Sequence, residues 1–276
     1  MVSSHSQIEQ HYGQDDLKQK LLNALQEAGK NPEALSRDDI AGFEEFHIRG
    51  RQATRELATA MELGAGMRVL DVGCGIGGPA RTLASEFDCE VTGLDLVDAY
   101  IEAATDLSQR VGLADKLSFR QGDAAALPFD DAAFDAALLE HVSMNIADKA
   151  GLFAGLKRVL RPEGKLGLYE ICAGEQPSPH YPVPWAGDET IDFLSPATEL
   201  QAAAEQAGFT VLAWRDISEV ALAWLRNMQE ARADRPQTSP LSLNLLMGEA
   251  GEEKTNNILR NLEEGRIGIV QAVLQA

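Results

Sequence analysis

The first 66 residues place hydrophobic side chains at helical spacing. In residues 15–30 four leucines fall on one face, and Gly29 ends the pattern (Leu17, Leu21, Leu22 and Leu25). Residues 37–46 and 51–63 show similar spacing. The pattern predicts a helical N-terminal cap over residues 1–66, followed by a larger domain over residues 67–276.

From residue 67 the pattern changes to short apolar runs that alternate with helical segments. Five runs are typical of strands, at 67–72, 89–96, 117–123, 134–141 and 165–171. Strands that alternate with helices pair in parallel through right-handed crossovers. We therefore predict an α/β fold built on a parallel sheet.

The last hundred residues interrupt this alternation twice. Residues 173–189 hold four prolines within eight positions, which is typical of a loop (Pro177, Pro179, Pro182 and Pro184). A helix is expected to start at Ser195 and end at Gly208, followed by strands at 209–218 and 266–275. Between those two strands, residues 219–264 are expected to form two or three helices.

A glycine-rich turn follows the first strand, in the sequence VLDVGCGIGGPAR at 69–81. Gly73, Gly75 and Gly78 have G-x-G-x-x-G spacing, which lets a ligand approach the backbone closely. Asp95 lies 22 residues after Gly73, at the end of the second strand, where an acidic residue binds ribose hydroxyls. NAD, FAD and S-adenosylmethionine all fit these features.

Asp71 favours one of these ligands. A carboxylate two residues before the first glycine would repel the pyrophosphate of NAD. S-adenosylmethionine has no phosphate and carries a sulfonium and an ammonium. An alternative is that Asp71 only accepts hydrogen bonds from nearby backbone N–H groups.

Composition and charge exclude several other classes. The formal net charge of −19 disfavours nucleic acid and anionic membrane surfaces as partners. Three cysteines and five histidines without C-x-x-C spacing argue against a disulfide framework and a metal site. The N-terminal residues lack a signal-peptide pattern, and no apolar stretch approaches ~18 residues. We expect a cytoplasmic protein, for which homo-oligomers are compatible with the sequence.

Four stretches together resemble the class I S-adenosylmethionine-dependent methyltransferases. They are VLDVGCGIGG, GLDL, RQGDAAALPFDDAAFD and LKRVLRPEGKLGL, in the family's order over residues 67–171. The resemblance implies a Rossmann-like sheet of seven mostly parallel strands with an antiparallel last strand, and lid segments near 172–194 and 219–264. It implies S-adenosylmethionine as cofactor, bound by Asp71, Gly73, Gly75, Gly77, Asp95, Leu96, Asp123, Ala124 and Glu140.

Methyl transfer is an in-line displacement that depends on alignment and exclusion of water. The site is expected at the carboxyl ends of the strands. Glu140 and His141, at the end of the fourth strand, are therefore the candidate catalytic residues. His141 is the first candidate for a base or a substrate hydrogen bond, unless it merely ends the strand.

Candidate substrate residues lie in two segments outside the strands. His47, Arg49 and Arg51 lie in FHIRGRQAT, where an arginine would hold a substrate carboxylate. Tyr181 and Trp185 lie in the proline-rich loop, where aromatic faces favour cationic amines. The alternatives are surface arginines and aromatic side chains that pack the loop onto the core.

The acceptor is expected to be a small molecule. FHIRGRQAT, HVSMNIADK and HYPVPWA resemble the sarcosine/dimethylglycine methyltransferase group most, which favours an amine nitrogen. The alternative is transfer to oxygen or carbon of a phenol, quinone or natural product. An NAD(P)-dependent oxidoreductase and a non-catalytic cofactor-binding module are the remaining hypotheses.

Overall fold

Seven strands form one mixed sheet in the computed structural model, which describes residues 4–13, 16–233 and 240–276. The sheet order is β3-β2-β1-β4-β5-β7-β6. Only β7 runs antiparallel to its neighbours, β5 and β6. The fold predicted from the sequence is thus confirmed, with strands β1 (Arg68–Val72), β2 (Glu90–Asp95), β3 (Leu117–Gln121), β4 (Phe134–Glu140), β5 (Leu160–Ala173), β6 (Thr210–Asp216) and β7 (Ile267–Gln275).

The central strands are buried on both faces, which explains their continuous apolar runs. Successive residues alternate between two apolar clusters, one on each face of the sheet. Val69 and Leu138 belong to one cluster, whereas Leu70 and Leu139 belong to the other. The period of two along each strand therefore decides which side chain meets which layer of helices.

Helices cover both faces and extend before the first strand. The described residues form α1 (Ser4–Tyr12), α2 (Leu17–Glu27), α3 (Arg37–Ile40), α4 (Arg51–Ala60), α5 (Gly78–Glu86), α6 (Asp98–Arg110), α7 (Lys149–Val159), α8 (Ala197–Gln206), α9 (Ser218–Ala233), α10 (Asn244–Met247) and α11 (Gly251–Glu263). None of them is long and apolar enough to cross a membrane.

One predicted helix is much shorter in the structure. The spacing predicted a helix over 37–46, but α3 ends at Ile40 and the chain then turns. At Gly42 a Cβ atom would lie 2.3 Å from the carbonyl oxygen of Leu241, so only glycine fits there. The turn carries Glu44 and Glu45 into the interior, where both are buried.

The N-terminal helices share a core with the sheet. Leu57 of α4 is fully buried in the same apolar cluster as Val69 and Leu138. At Gly167 of β5, a Cβ atom would lie 2.3 Å from Sδ of Met61 and 3.0 Å from Cγ of Leu57. The glycine therefore lets α4 pack directly onto the middle of the sheet.

We expect Leu57→Ala to lower the free energy of unfolding by about 2–5 kcal/mol, because it opens a cavity where α4 meets β5. Urea unfolding followed by circular dichroism measures this change. Leu212→Ala is the matched control, because the Leu212 side chain on β6 is 50% exposed. An equal effect of both substitutions would contradict the shared core.

Candidate active site

A cavity of about 1140 Å³ opens at the carboxyl ends of the strands. Its walls come from the glycine turn after β1, the ends of β2 and β4, the segment before α4, the proline-rich loop and helices α9 to α11. Parallel strands bring residues that are distant in sequence to this one edge. Eleven residues predicted for the site line the cavity: Asp71, Gly73, Gly75, Asp95, Leu96, Asp123, Ala124, Glu140, His141, His47 and Trp185.

The glycine turn needs its glycines for two reasons. Gly73, Gly75 and Gly77 adopt φ angles of 71°, 53° and 83°, which side chains disfavour. Gly78 does not have a positive φ, but a Cβ atom there would lie 2.1 Å from the carbonyl oxygen of Glu44. The fourth glycine therefore serves packing against the segment before α4.

Asp95 is held by the glycine turn it faces. Its Oδ2 accepts a hydrogen bond of 2.8 Å from the N–H of Gly75, and its Oδ1 accepts one of 2.9 Å from Val97. Burial raises the pKa of this carboxyl to about 6. Asp95 is thus oriented beside Gly75 at the end of β2, where its carboxylate faces the cavity.

The strand ends of β1 and β4 add two buried carboxyl groups. Asp71 is 1% exposed, and its Oδ2 has no hydrogen-bond partner among the described residues. Burial, together with the charge of Glu140, raises the pKa of Asp71 well above its usual range. Burial raises the pKa of Glu140 to about 7 despite the opposing charge of His47.

His47 is the cation of this acidic group. Its Nε2 lies 3.2 Å from Oε2 of Glu45 and 3.8 Å from Oε2 of Glu140. The hydroxyl of Thr54, on α4, lies 2.7 Å and 3.1 Å from the same two oxygens. Although burial lowers the pKa of a histidine, the charge of Glu140 and the hydrogen bond to Glu45 raise that of His47 to about 9.

His141 has a different state from His47. It adopts φ of 56°, a strained value for a non-glycine residue, and its ring stacks on Tyr169 at 5.0 Å between centroids. Burial, and then the charge of His47, lower the pKa of His141 well below its usual range. The imidazole is therefore neutral at pH 7, which is the state that accepts a proton.

The loop after β4 is held by residues that sequence reasoning missed. Glu170 of β5 is fully buried and accepts hydrogen bonds from the N–H groups of Val142 and Ser143, at 3.1 Å and 3.0 Å. Asn145 donates to the carbonyl groups of Trp185 and Ile191, so the same loop also anchors the proline-rich segment. Isolated Glu and Asn residues carry no sequence pattern that would have revealed these contacts.

Three predicted substrate residues do not line the cavity. The guanidinium of Arg49 donates to Glu56 at 2.6 Å, and that of Arg51 donates to Glu44 at 2.6 Å. The hydroxyl of Tyr181 donates to Asp192 at 2.5 Å. Their polar groups therefore contact intramolecular partners instead of lining the cavity. Gly77 likewise lies in the turn but outside the cavity wall.

The part of the cavity wall that comes from the loop after β4, the proline-rich loop and α9 to α11 is called the apolar chamber, after its large apolar side chains. The same helices also contribute the polar residues Gln229, Asn244, Glu252, Thr255 and Asn256. Trp185, expected in the site, forms part of the chamber wall and is 1% exposed. Trp224 lies on α9, where it lines the chamber, packs against the core and is half-buried. The other apolar side chains of the chamber come from the loop after β4 and the late helices (Met144, Leu225, Met228, Met247, Ile258 and Leu259).

Comparison with known proteins agrees with this geometry. Residues 70–168 match the family described as the methyltransferase domain. The chain is 37% identical to a sterol 24-C-methyltransferase of Aspergillus fumigatus, over 59% of this chain and 45% of that protein. It is 33% identical to an O-methyltransferase of Penicillium expansum, over 66% of each protein. The chain thus spans less than half of the sterol methyltransferase.

Two solved structures share the fold. The 4+2 cyclase SpnF superposes with a TM-score of 0.69 at 25% identity, over 99% of this chain and 97% of SpnF. Phosphoethanolamine N-methyltransferase 2 of Haemonchus contortus, in complex with S-adenosylmethionine, superposes with a TM-score of 0.78 at 18% identity. That match covers 100% of this chain and 60% of the nematode chain.

The domain match, the sheet order and the site together define the class. Residues 70–168 carry a methyltransferase domain, and the sheet around it has the Rossmann-like order of the solved methyltransferases, which supports S-adenosylmethionine as the cofactor. The residues present fit this cofactor. Oδ2 of Asp71 is buried and accepts no hydrogen bond from the described residues, and it lies among other acidic side chains, so a cationic ligand is favoured there.

We expect Asp95→Ala to weaken the binding of S-adenosylhomocysteine by about 1–3 kcal/mol, because buried ribose hydroxyls lose their acceptor. Isothermal titration calorimetry measures the affinity. Asp115→Ala, at an exposed position outside the cavity, is the matched control. Unchanged affinity in Asp95→Ala, or binding of NAD by the wild-type protein, would contradict the assignment.

Proposed function

We propose that this protein transfers the methyl group of S-adenosylmethionine to a hydroxyl oxygen of a largely apolar small molecule. The observation that carries the proposal is that one cavity contains both the neutral imidazole of His141 and the apolar chamber. A hydroxyl group starts protonated, so its methylation benefits from a base at the reacting oxygen.

Different residues of the cavity wall bind the cofactor, accept the proton and orient the methyl acceptor. Asp95 is placed to bind ribose hydroxyls, and Asp71 and Glu140 are placed to receive the positively charged methionine part. When bound, S-adenosylmethionine supplies the electrophilic methyl group. His141 then accepts the proton from the attacking hydroxyl, while the chamber orients the acceptor and excludes water.

The wall of the chamber supports an apolar acceptor over the amine suggested by sequence resemblance. Sarcosine and dimethylglycine each carry a carboxylate, which calls for a cationic partner. Arg49 and Arg51 are instead held by Glu56 and Glu44. A phenol or another hydroxylated natural product matches the tryptophan, methionine and isoleucine side chains of the wall. The similarity to an O-methyltransferase over 66% of each protein supports the same choice.

A second candidate is a reaction that uses the chamber without methyl transfer. The full-length similarity to a 4+2 cyclase at 25% identity is the observation that favours it. The two candidates differ in one product, because only methyl transfer releases S-adenosylhomocysteine in proportion to turnover.

The segments around the cavity suggest how it closes. We propose that residues 1–66 act as a cap and that segments 172–194 and 219–264 act as a lid. This is supported by the lining contributed by Ile8, Tyr12, Trp185 and helices α9 to α11. The cytoplasmic location and a homo-oligomeric state stay predictions.

We expect turnover with apolar phenols and little with sarcosine or dimethylglycine, measured as S-adenosylhomocysteine released across such a panel. In the same assay His141→Gln should lower kcat by about 10²- to 10⁴-fold, because the proton acceptor is lost. The affinity for S-adenosylhomocysteine should be unchanged. His180→Gln is the matched control, since His180 pairs with Glu264 outside the cavity. Full activity of His141→Gln, or preferred turnover of sarcosine, would overturn the proposal.

We also expect Trp224→Ala to raise KM for the apolar acceptor about tenfold or more, because a large apolar side chain of the chamber wall is removed. Steady-state kinetics at saturating S-adenosylmethionine measure this value. Trp214→Ala, on β6 and outside the cavity wall, serves as the tryptophan control. An unchanged KM in Trp224→Ala would show that the acceptor does not occupy this end of the cavity.

A further inference from the structure

The charge balance at the ends of β1 and β4 depends on one residue. The two strands are parallel neighbours with Val72 opposite Leu139, so Glu140 lies one residue beyond this pair. Asp71 and Glu140 act electrostatically on one another, and both are less than a tenth exposed. Two carboxyl groups in such surroundings resist ionisation unless a cation faces them.

Each neighbouring element contributes charges that face this pair. Glu45 and His47 come from the segment before α4, and Asp95 comes from the end of β2. Glu45 is itself faced by Arg51 and Arg55 of α4 and by Arg81 of α5. Among the described residues, His47 is the cation that acts on both Asp71 and Glu140.

The position of His47 is fixed from several sides. Glu45 and Glu140 flank its Nε2, and Thr54 lies 3.2 Å from the same nitrogen. Its ring contacts that of Tyr169 edge-on, at 5.8 Å between centroids. The imidazole is buried and surrounded on these sides. Its charge therefore acts on the carboxyl groups, and the ring is not free to bind an acceptor in the chamber.

We infer that His47 is a positioning residue of the cofactor site, whose charge keeps Asp71 and Glu140 ready to receive the ammonium group of the methionine part. Asp71 supports this role independently, because its buried Oδ2 has no partner within the described chain and lines the wall where that ammonium is expected. The inference concerns the cofactor alone and holds for any methyl acceptor.

The positioning role of His47 predicts how the affinity for the cofactor depends on pH. Ammonium binds a carboxylate more tightly than a neutral carboxyl group. Since the pKa of Glu140 is raised to about 7, affinity should increase as pH rises through this value. The pKa of His47, at about 9, keeps the imidazole charged over this interval. Without this charge, both carboxyl groups ionise only at higher pH.

The test uses the full chain and S-adenosylhomocysteine, titrated calorimetrically between about pH 6 and pH 8.5. We expect His47→Gln to lower affinity about tenfold at pH 7, and to move the midpoint of the affinity–pH curve to higher pH. The loss of affinity in His47→Gln should be smaller at the highest pH of the titration than at neutral pH. His47→Lys, which restores the positive charge, should return the midpoint toward that of the wild type. His180→Gln should leave the curve unchanged.

Wild-type protein provides a second readout that needs no variant. Calorimetry in buffers of different ionisation enthalpy counts protons exchanged on binding. Binding near pH 6.5 should release a proton from Glu140, whose pKa is raised to about 7. The inference is overturned if no protons are released, or if His47→Gln weakens binding equally at every pH, which indicates a purely structural role. These outcomes do not bear on the proposed methyl acceptor, because the experiments measure cofactor binding and no methyl transfer.

Discussion

Burial of negative charge at one edge of the sheet is the constraint on which this structure depends. Asp95 and Glu140 end β2 and β4, Asp71 is the penultimate residue of β1 between them, and Glu45 enters from the segment before α4. Moving carboxylates out of water is costly unless hydrogen bonds, cations or protons compensate. Asp95 is compensated by backbone N–H groups, whereas Asp71 and Glu140 depend on His47. A cationic cofactor completes this balance.

The same constraint explains why the N-terminal segment is part of the site. Glu44 is buried and accepts hydrogen bonds from Arg37, Arg51 and Arg81, the last at 2.9 Å within a fully buried pair. Arg81 belongs to the helix that the glycine turn opens, so this ion pair ties residue 44 to the cofactor turn. The adjoining residues then bring Glu45 and His47 against Glu140. Removing one partner of such a pair would leave an uncompensated buried charge.

The chemistry proposed for the cavity follows from two histidines with opposite charge states. His47 is surrounded by acids and holds a proton, while His141 is buried beside that cation and stays neutral. Only the second is unprotonated and therefore has a nitrogen that can accept a proton from a hydroxyl group. Their ring centroids lie 5.9 Å apart, so the charge of one directly supports the neutral state of the other.

The sequence by itself determined the sheet and the cofactor turn, and the resemblance of four stretches to the methyltransferases implied the cofactor. Alternating apolar runs, glycines with positive φ and an acidic residue after β2 are local features, and local backbone preferences identify them. Tertiary structure decided what the remaining polar residues do. Arg49 and Arg51, which the sequence offers either as substrate ligands or as surface arginines, donate hydrogen bonds to Glu56 and Glu44. Trp224 lies on α9, where it packs against the core and also lines the cavity. The two residues of each arginine–glutamate pair are seven positions apart in sequence. Their pairing depends on how the chain packs, which no local pattern specifies.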